Sequence, residues 1–278
     1  MQIVKIRRLL LGGLVLAVGA TLACSSLARA TVLRLWPGAP YANCTPDPRI
    51  FCEPGAEPMA RAIAPLMPAA IARVEGAQYG PFTAPVKVVV YGSEHAYARR
   101  SGGRSGLGRM SFGEVHLAPV LARRPAEYLP ILTHELSHLH LYQHAGGLAM
   151  MRLPNWFMEG WPTLVSGGSG AGAATRENAI FTLVHGRRFE ARDSGRLLGG
   201  FDTDPRMSAG MYYRQASLLV EYMQQRDRAA FARLVRDVAG GKRFAGAVQD
   251  NYGQPLAGLW DDFRAGLRAD PAAQWRER

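Results

Sequence analysis

The residues best equipped for chemistry are His134, Glu135 and His138, spaced as H-E-x-x-H in an apolar run from Leu129 to Leu139. On a helix, two histidines four residues apart lie about 6 Å apart along the axis and about 40° apart around it. Both imidazoles can then reach one metal ion, and Glu135 stands beside them to accept or deliver a proton. Composition alone would generate such a pentapeptide in about one per cent of chains of this size. The pair therefore needs a third ligand before it reads as a metal site, because a catalytic zinc takes three protein ligands and keeps one position open.

Two residues compete for that role. His144 follows His138 by the spacing of the metzincin pattern H-E-x-x-H-x-x-G-x-x-H, but Leu141 stands where that pattern has glycine. On a continued helix His144 falls about 9 Å beyond His138 along the axis and points elsewhere. It and His140 then read as exposed or C-terminal helix histidines that favour the helix dipole. The other candidate is Glu159, with twenty residues between it and His138. That span allows one helix to end, a loop to turn, and a second helix to bring a carboxylate back.

The segment Trp156-Phe157-Met158-Glu159-Gly160, downstream of H-E-x-x-H, resembles the W-x-x-E-G of the gluzincin metallopeptidases. The run from Tyr212 to Tyr222 is similar to the tyrosine-bearing helix found beyond the glutamate in many members. The resemblance spans residues 85–268 and is most specific over 130–166. It implies one Zn2+ held by His134, His138 and Glu159, with Glu135 as general base. It also implies Tyr213, with Tyr212 beside it, as the donor to a developing oxyanion; His185 is a weaker donor candidate, read more simply as a surface histidine. Val115 to Pro119 would be a strand edging the cleft, and Trp156, Phe157 and Trp161 core around the ligand helix. The chain departs from the clan at Thr163, where an acidic residue often orients a ligand histidine, and at Pro162. Thr163 or Ser166 could fill the orienting role only weakly. No G-x-M-E-N-like segment is present to hold a substrate amino terminus, so the resemblance points to an endopeptidase acting on peptide or protein. The alternative is a catalytically silent, peptidase-like zinc-binding module of the cell envelope.

The rest of the chain must place these residues. Its 278 residues, 48% hydrophobic and 20% charged, supply ample material for a core. The formal charge is +11. Only Lys5, Lys87 and Lys242 are lysines, and the arginines are scattered, without an aromatic-interleaved patch, so nucleic-acid binding is not expected. Mild attraction to anionic surfaces, membranes included, is. Lys5, Arg7 and Arg8 precede an uncharged stretch from Leu9 to Leu27 and then Ala28-Arg29-Ala30, the order of a secretory signal cleaved after Ala30. An uncleaved anchor at residues 9–27 and a lipoprotein site at Cys24 are the other readings. All place the folded part outside the cytoplasm, periplasmic or secreted, or tied to the inner membrane. Cys44 and Cys52 would pair in an oxidising compartment and pin a Pro-rich arm over 31–57, ahead of a catalytic domain over 58–278.

Periodicity predicts a helix from Met59 to Gly76, kinked or broken at Pro65 and Pro68. A strand is expected over Pro85 to Tyr91, a short helix from Ser93, and a second strand from Met110 to Leu117. The H-E-x-x-H helix should run from Pro125 to about His144 and stop at Gly146 and Gly147. Another begins near Asn155, and amphipathic segments cover Met211 to Gln225, Asp227 to Val238 and Leu256 to Leu267. Stretches 101–108 and 166–172 read as glycine-rich loops, lids or simple insertions. The expected class is α+β: a small, mostly antiparallel sheet with an edge strand over the cleft, packed on a mainly helical zincin-like domain.

Overall fold

The structure, a computed structural model, describes residues 41–103, 105–193 and 206–274. The leader or anchor over 1–30 and residues 31–40 of the arm lie outside the described residues. The fold is α+β, with a small mixed sheet and a mainly helical part. The chain divides into two compact units, one of Met1–Ala64 with Lys87–Arg124, the other of Pro65–Val86 with Pro125–Arg278.

The first unit carries the sheet. Its strands are β1 (Ala42–Asn43), β2 (Ile50–Cys52), β3 (Val88–Val90), β4 (Gly108–Ser111) and β5 (Glu114–Leu117), in the order β1-β2-β3-β5-β4. β1 pairs with β2 and β4 with β5 in antiparallel fashion, while β3 is parallel to both β2 and β5. The sheet is therefore mixed rather than mostly antiparallel, because both joins onto and out of β3 are helix-containing crossovers, which parallel neighbours require. β5, expected at an edge, is interior; the edge strand is β4. β3 reads Val88-Val89-Val90 and is buried throughout, as an interior strand covered on both faces should be. The stretch expected as one strand from Met110 is a hairpin, turned by Phe112 at φ 53° and Gly113 at φ 75°. Two consecutive positive φ values make the type I′ turn that matches strand twist.

Residues 42–52, read as arm, supply two strands of this sheet. The Cys44–Cys52 disulfide closes their hairpin with Cα atoms 6.0 Å apart. α1 (Glu57–Ile63) follows, and α3 (Glu94–Ser101) starts at the expected Ser93, whose hydroxyl accepts from the Ala96 N–H at 3.2 Å.

The second unit is helical. α2 (Met67–Ala77) is parted from α1 by a 3-10 turn at Ala64–Leu66, the expected proline break. The remaining helices are α4 (Tyr128–Met150), α5 (Asn155–Val165), α6 (Arg176–His185), α7 (Ala209–Arg226), α8 (Arg228–Ala239), α9 (Phe244–Tyr252) and α10 (Leu256–Leu267). α4 buries every residue from Ile131 to Leu141, the signature of a core helix apolar on all sides. Its regular part ends where expected, at Gly146 (φ 75°, ψ 159°). α5 and α7 touch backbone to backbone at Gly160, where a Cβ would fall 2.7 Å from the carbonyl carbon and oxygen of Ala216. Beneath them Trp156, Phe157 and Trp161 form an aromatic core with Phe231 and Phe244, rings 4.9 to 6.2 Å apart. No described helix is long and apolar enough to cross a membrane.

Candidate metal centre

α4 and α5 bring the three expected ligands together. The Nε2 atoms of His134 and His138 lie 3.2 Å apart. Oε2 of Glu159 sits 3.6 Å from each of them. All three residues are buried, and among the described residues they form the only group of histidine, cysteine and acidic side chains with this convergence. A tetrahedral zinc with ligands at about 2.0–2.1 Å has ligand-to-ligand edges of about 3.3–3.4 Å. The observed triangle has edges of 3.2, 3.6 and 3.6 Å, so a point about 2.1 Å from all three atoms lies about 0.6 Å above its plane, as a tetrahedral ion requires. The donor set, two imidazoles and a carboxylate, therefore fits a metal of zinc's size without movement.

Local sequence explains the placement. The i, i+4 spacing sets His134 and His138 on one face of α4, one turn apart, with rings 4.9 Å centre to centre. Ser137, inside the motif, accepts from the Gln78 amide at 2.7 Å and so ties α4 to the end of α2. Glu159 is carried on a helix that begins straight after Leu153 and Pro154. Burial would raise its pKa, but the imidazoles of His134 and His138 facing it hold the carboxyl well below the usual range. It is thus a carboxylate, the form that ligates. Glu135, on the same turn of α4, is buried too.

The two tyrosine candidates separate. The Tyr213 ring stacks near His134, centroids 6.2 Å apart and planes within 19°. Tyr212 is turned into the core against Phe189, at 5.6 Å. His144 is not part of the group. Its Nε2 binds the Pro81 carbonyl at 2.9 Å, and His140 binds that of Gly80 at 2.8 Å, so the pair fastens α4 to the segment after α2. His140, read as an exposed or C-terminal helix histidine, is buried, with Phe82 packed edge-on against its ring at 5.1 Å. His185 is exposed at the end of α6 and bonded to the Ala273 carbonyl at 2.6 Å. Trp156, Phe157 and Trp161 are core, as expected.

Neither substitute for the orienting acid reaches a ligand histidine. Ser166 spends its hydroxyl on the Thr163 carbonyl and the Ser169 N–H, each at 3.2 Å. Thr163 Oγ1 and His134 Nδ1 are both buried without a hydrogen-bond partner among the described residues.

The sequence alone did not reveal the role of the glycine-rich loop after α5. Gly170 (φ +84°) lies so close to the site that a Cβ there would meet Tyr213 Cδ2 at 2.5 Å and His134 Cε1 at 3.5 Å. Gly168 (φ +107°) is covered by the Arg214 guanidinium, with Nη2 2.5 Å from its Cβ position. A glycine-rich loop, read as a lid or simple insertion, does not disclose either approach; the only available signal was the density of glycine itself, which permits close backbone approach. The chain matches no protein-family model and no curated protein sequence.

Proposed function

We propose that the chain is an exported zinc-dependent peptidase of the gluzincin type. One observation carries this reading: a buried His134, His138 and Glu159 triangle sized for zinc, with Glu135 in the same helical turn. When bound, zinc would acidify a water to a pKa of about 7 and polarise the scissile carbonyl. Glu135 would take the proton of the attacking water and hand it to the leaving amine. Tyr213, stacked beside His134, supplies an O–H for the negative charge growing on the carbonyl oxygen. Burial strengthens each of these interactions by excluding water. The Cys44–Cys52 disulfide supports export, since such bonds persist in oxidising compartments.

The decisive comparison is wild type against Glu135→Gln, both analysed for metal and both incubated with casein and a broad peptide library. Wild type should hold one equivalent of zinc and cleave. The variant should keep its zinc and lose about 10²- to 10⁴-fold in rate. Equal cleavage by the variant would overturn the mechanism, and purified protein without stoichiometric zinc would overturn the metal site. Zinc binding with no cleavage by either protein would favour a silent binding module.

A further inference from the structure

Among the described residues, Arg214 is a half-buried arginine that forms no ion pair, and it sits beside the candidate metal centre. Its Nε donates to the Ala174 carbonyl at 3.0 Å, which fixes the side chain and leaves the two Nη groups at Gly168. The acids nearest in effect are Glu177 and Glu221, and Glu221 is taken up by Arg176 at 2.5 Å. Two residues along the same loop is Gly170, which is exposed and whose Cβ position would fall 2.5 Å from Tyr213 Cδ2 and 3.5 Å from His134 Cε1. Two residues span at most about 7 Å. The guanidinium and the His134 ring therefore lie within about 16 Å, a distance that about five extended peptide residues cover. A second guanidinium, Arg73, flanks the same loop: its Nε donates to Val165 O at 2.5 Å and its Nη2 lies 3.2 Å from the Cβ position of Gly167. It too forms no ion pair among the described residues. Ser169, between the glycines, is buried with its hydroxyl unpartnered among the described residues.

We propose that Arg214 is a specificity-determining residue that receives a substrate carboxylate, an acidic side chain or the chain terminus, within about five residues of the scissile bond. This rests on the peptidase reading and names its substrate class. A planar fork held by its own Nε bond loses little freedom on pairing with a carboxylate. An excess of arginine across the chain adds attraction for acidic peptides at a distance.

The zinc-loaded full chain is profiled with a proteome-derived peptide library, alongside Arg214→Gln, Arg214→Lys and Arg214→Glu. Wild type should enrich Asp, Glu or a free C-terminus at one position near the cut, and Arg214→Gln should lower kcat/KM for those peptides about 10- to 100-fold. Neutral peptides should stay within about twofold. Arg214→Lys, which keeps the charge without the fork, should retain part of the preference, and Arg214→Glu should shift it toward Lys and Arg. No acidic enrichment in wild type, or enrichment that survives in Arg214→Gln, overturns the proposal. A binding arm separates it from the peptidase reading. The zinc-loaded Glu135→Gln protein is titrated with fluorescein-labelled alanine decapeptides carrying one Glu or one Gln at each position, each with a free and with an amidated C-terminus. A preference for Glu of about 10-fold that disappears on adding Arg214→Gln supports the subsite even if nothing is cleaved. Equal affinities for Glu and Gln at every position, with no loss on amidating the C-terminus, overturn it even if cleavage is seen.

Discussion

Replacing Gly160 by alanine tests whether the backbone contact between α5 and α7 builds the site. An added Cβ would stand 2.7 Å from two backbone atoms of Ala216 and 3.0 Å from its Cβ. Carbon atoms pack at about 3.5–4.0 Å, so the helices must part by roughly 0.5–1 Å. Overpacking of this kind costs about 1–3 kcal/mol. Alanine returns about 1 kcal/mol through its better helix propensity. The net loss should be up to about 2 kcal/mol, or a melting temperature lower by up to about 8 °C for a domain of this size. Glu159 precedes Gly160 directly, so the displacement also stretches the 3.6 Å edges of the ligand triangle, and zinc affinity should fall at least about 10-fold. Calorimetric melting and competitive zinc titration would measure both. Gly246→Ala on α9 is the control, since nothing lies within 4 Å of its Cβ position. It should be neutral or stabilise by about 0.4–1 kcal/mol with unchanged zinc affinity. If Gly160→Ala behaves like that control, the close approach is incidental.

Three further outcomes follow from the same geometry. Chelation should lower the melting temperature, and zinc at about 100 times its Kd should restore about 2.7 kcal/mol; Glu159→Ala should abolish that response, as read by melting with and without zinc. Gly170→Ala, strained at φ +84° and aimed at the Tyr213 ring, should reduce activity along with Tyr213→Phe, which should cost about 10²-fold in kcat with little change in KM. Steady-state kinetics on the two variants decides this, and a Tyr213→Phe enzyme with wild-type kcat removes the tyrosine from the reaction. Replacing Cys44 and Cys52 by serine opens a loop of sequence separation 8. It should cost about 2–3 kcal/mol in denaturant unfolding, leaving zinc stoichiometry unchanged.

The site was more legible in the sequence than the sheet. His134, His138 and Glu159 were readable because helical spacing fixes the directions of the first two. The apolar, tryptophan-rich context of the third marks a buried helix that can return only to the same core. The turn at Phe112 was not readable, because phenylalanine rarely adopts positive φ and the local pattern of Met110 to Leu117 suits one continuous strand. The parallel pairing of β2 with β3 was hidden for another reason. Ile50 to Cys52 is a three-residue strand among prolines, and its partner Val88 to Val90 is far along the chain. The roles of Gly160, Gly170 and Arg214 depend on which backbone atoms approach them, and no local pattern records that.

The discontinuity of the two units bears on the order of assembly. α2 is synthesised well before α4, yet the Gln78–Ser137 bond that ties them crosses a sequence separation of 59. That bond can form only once residue 137 is present. Residues 87–124, which lie between the two in sequence, belong to the sheet-bearing unit. Closing so long a loop is an entropic toll on the folding rate rather than on final stability. The group that could hold a metal also needs Glu159, so it cannot form before residue 159 is made.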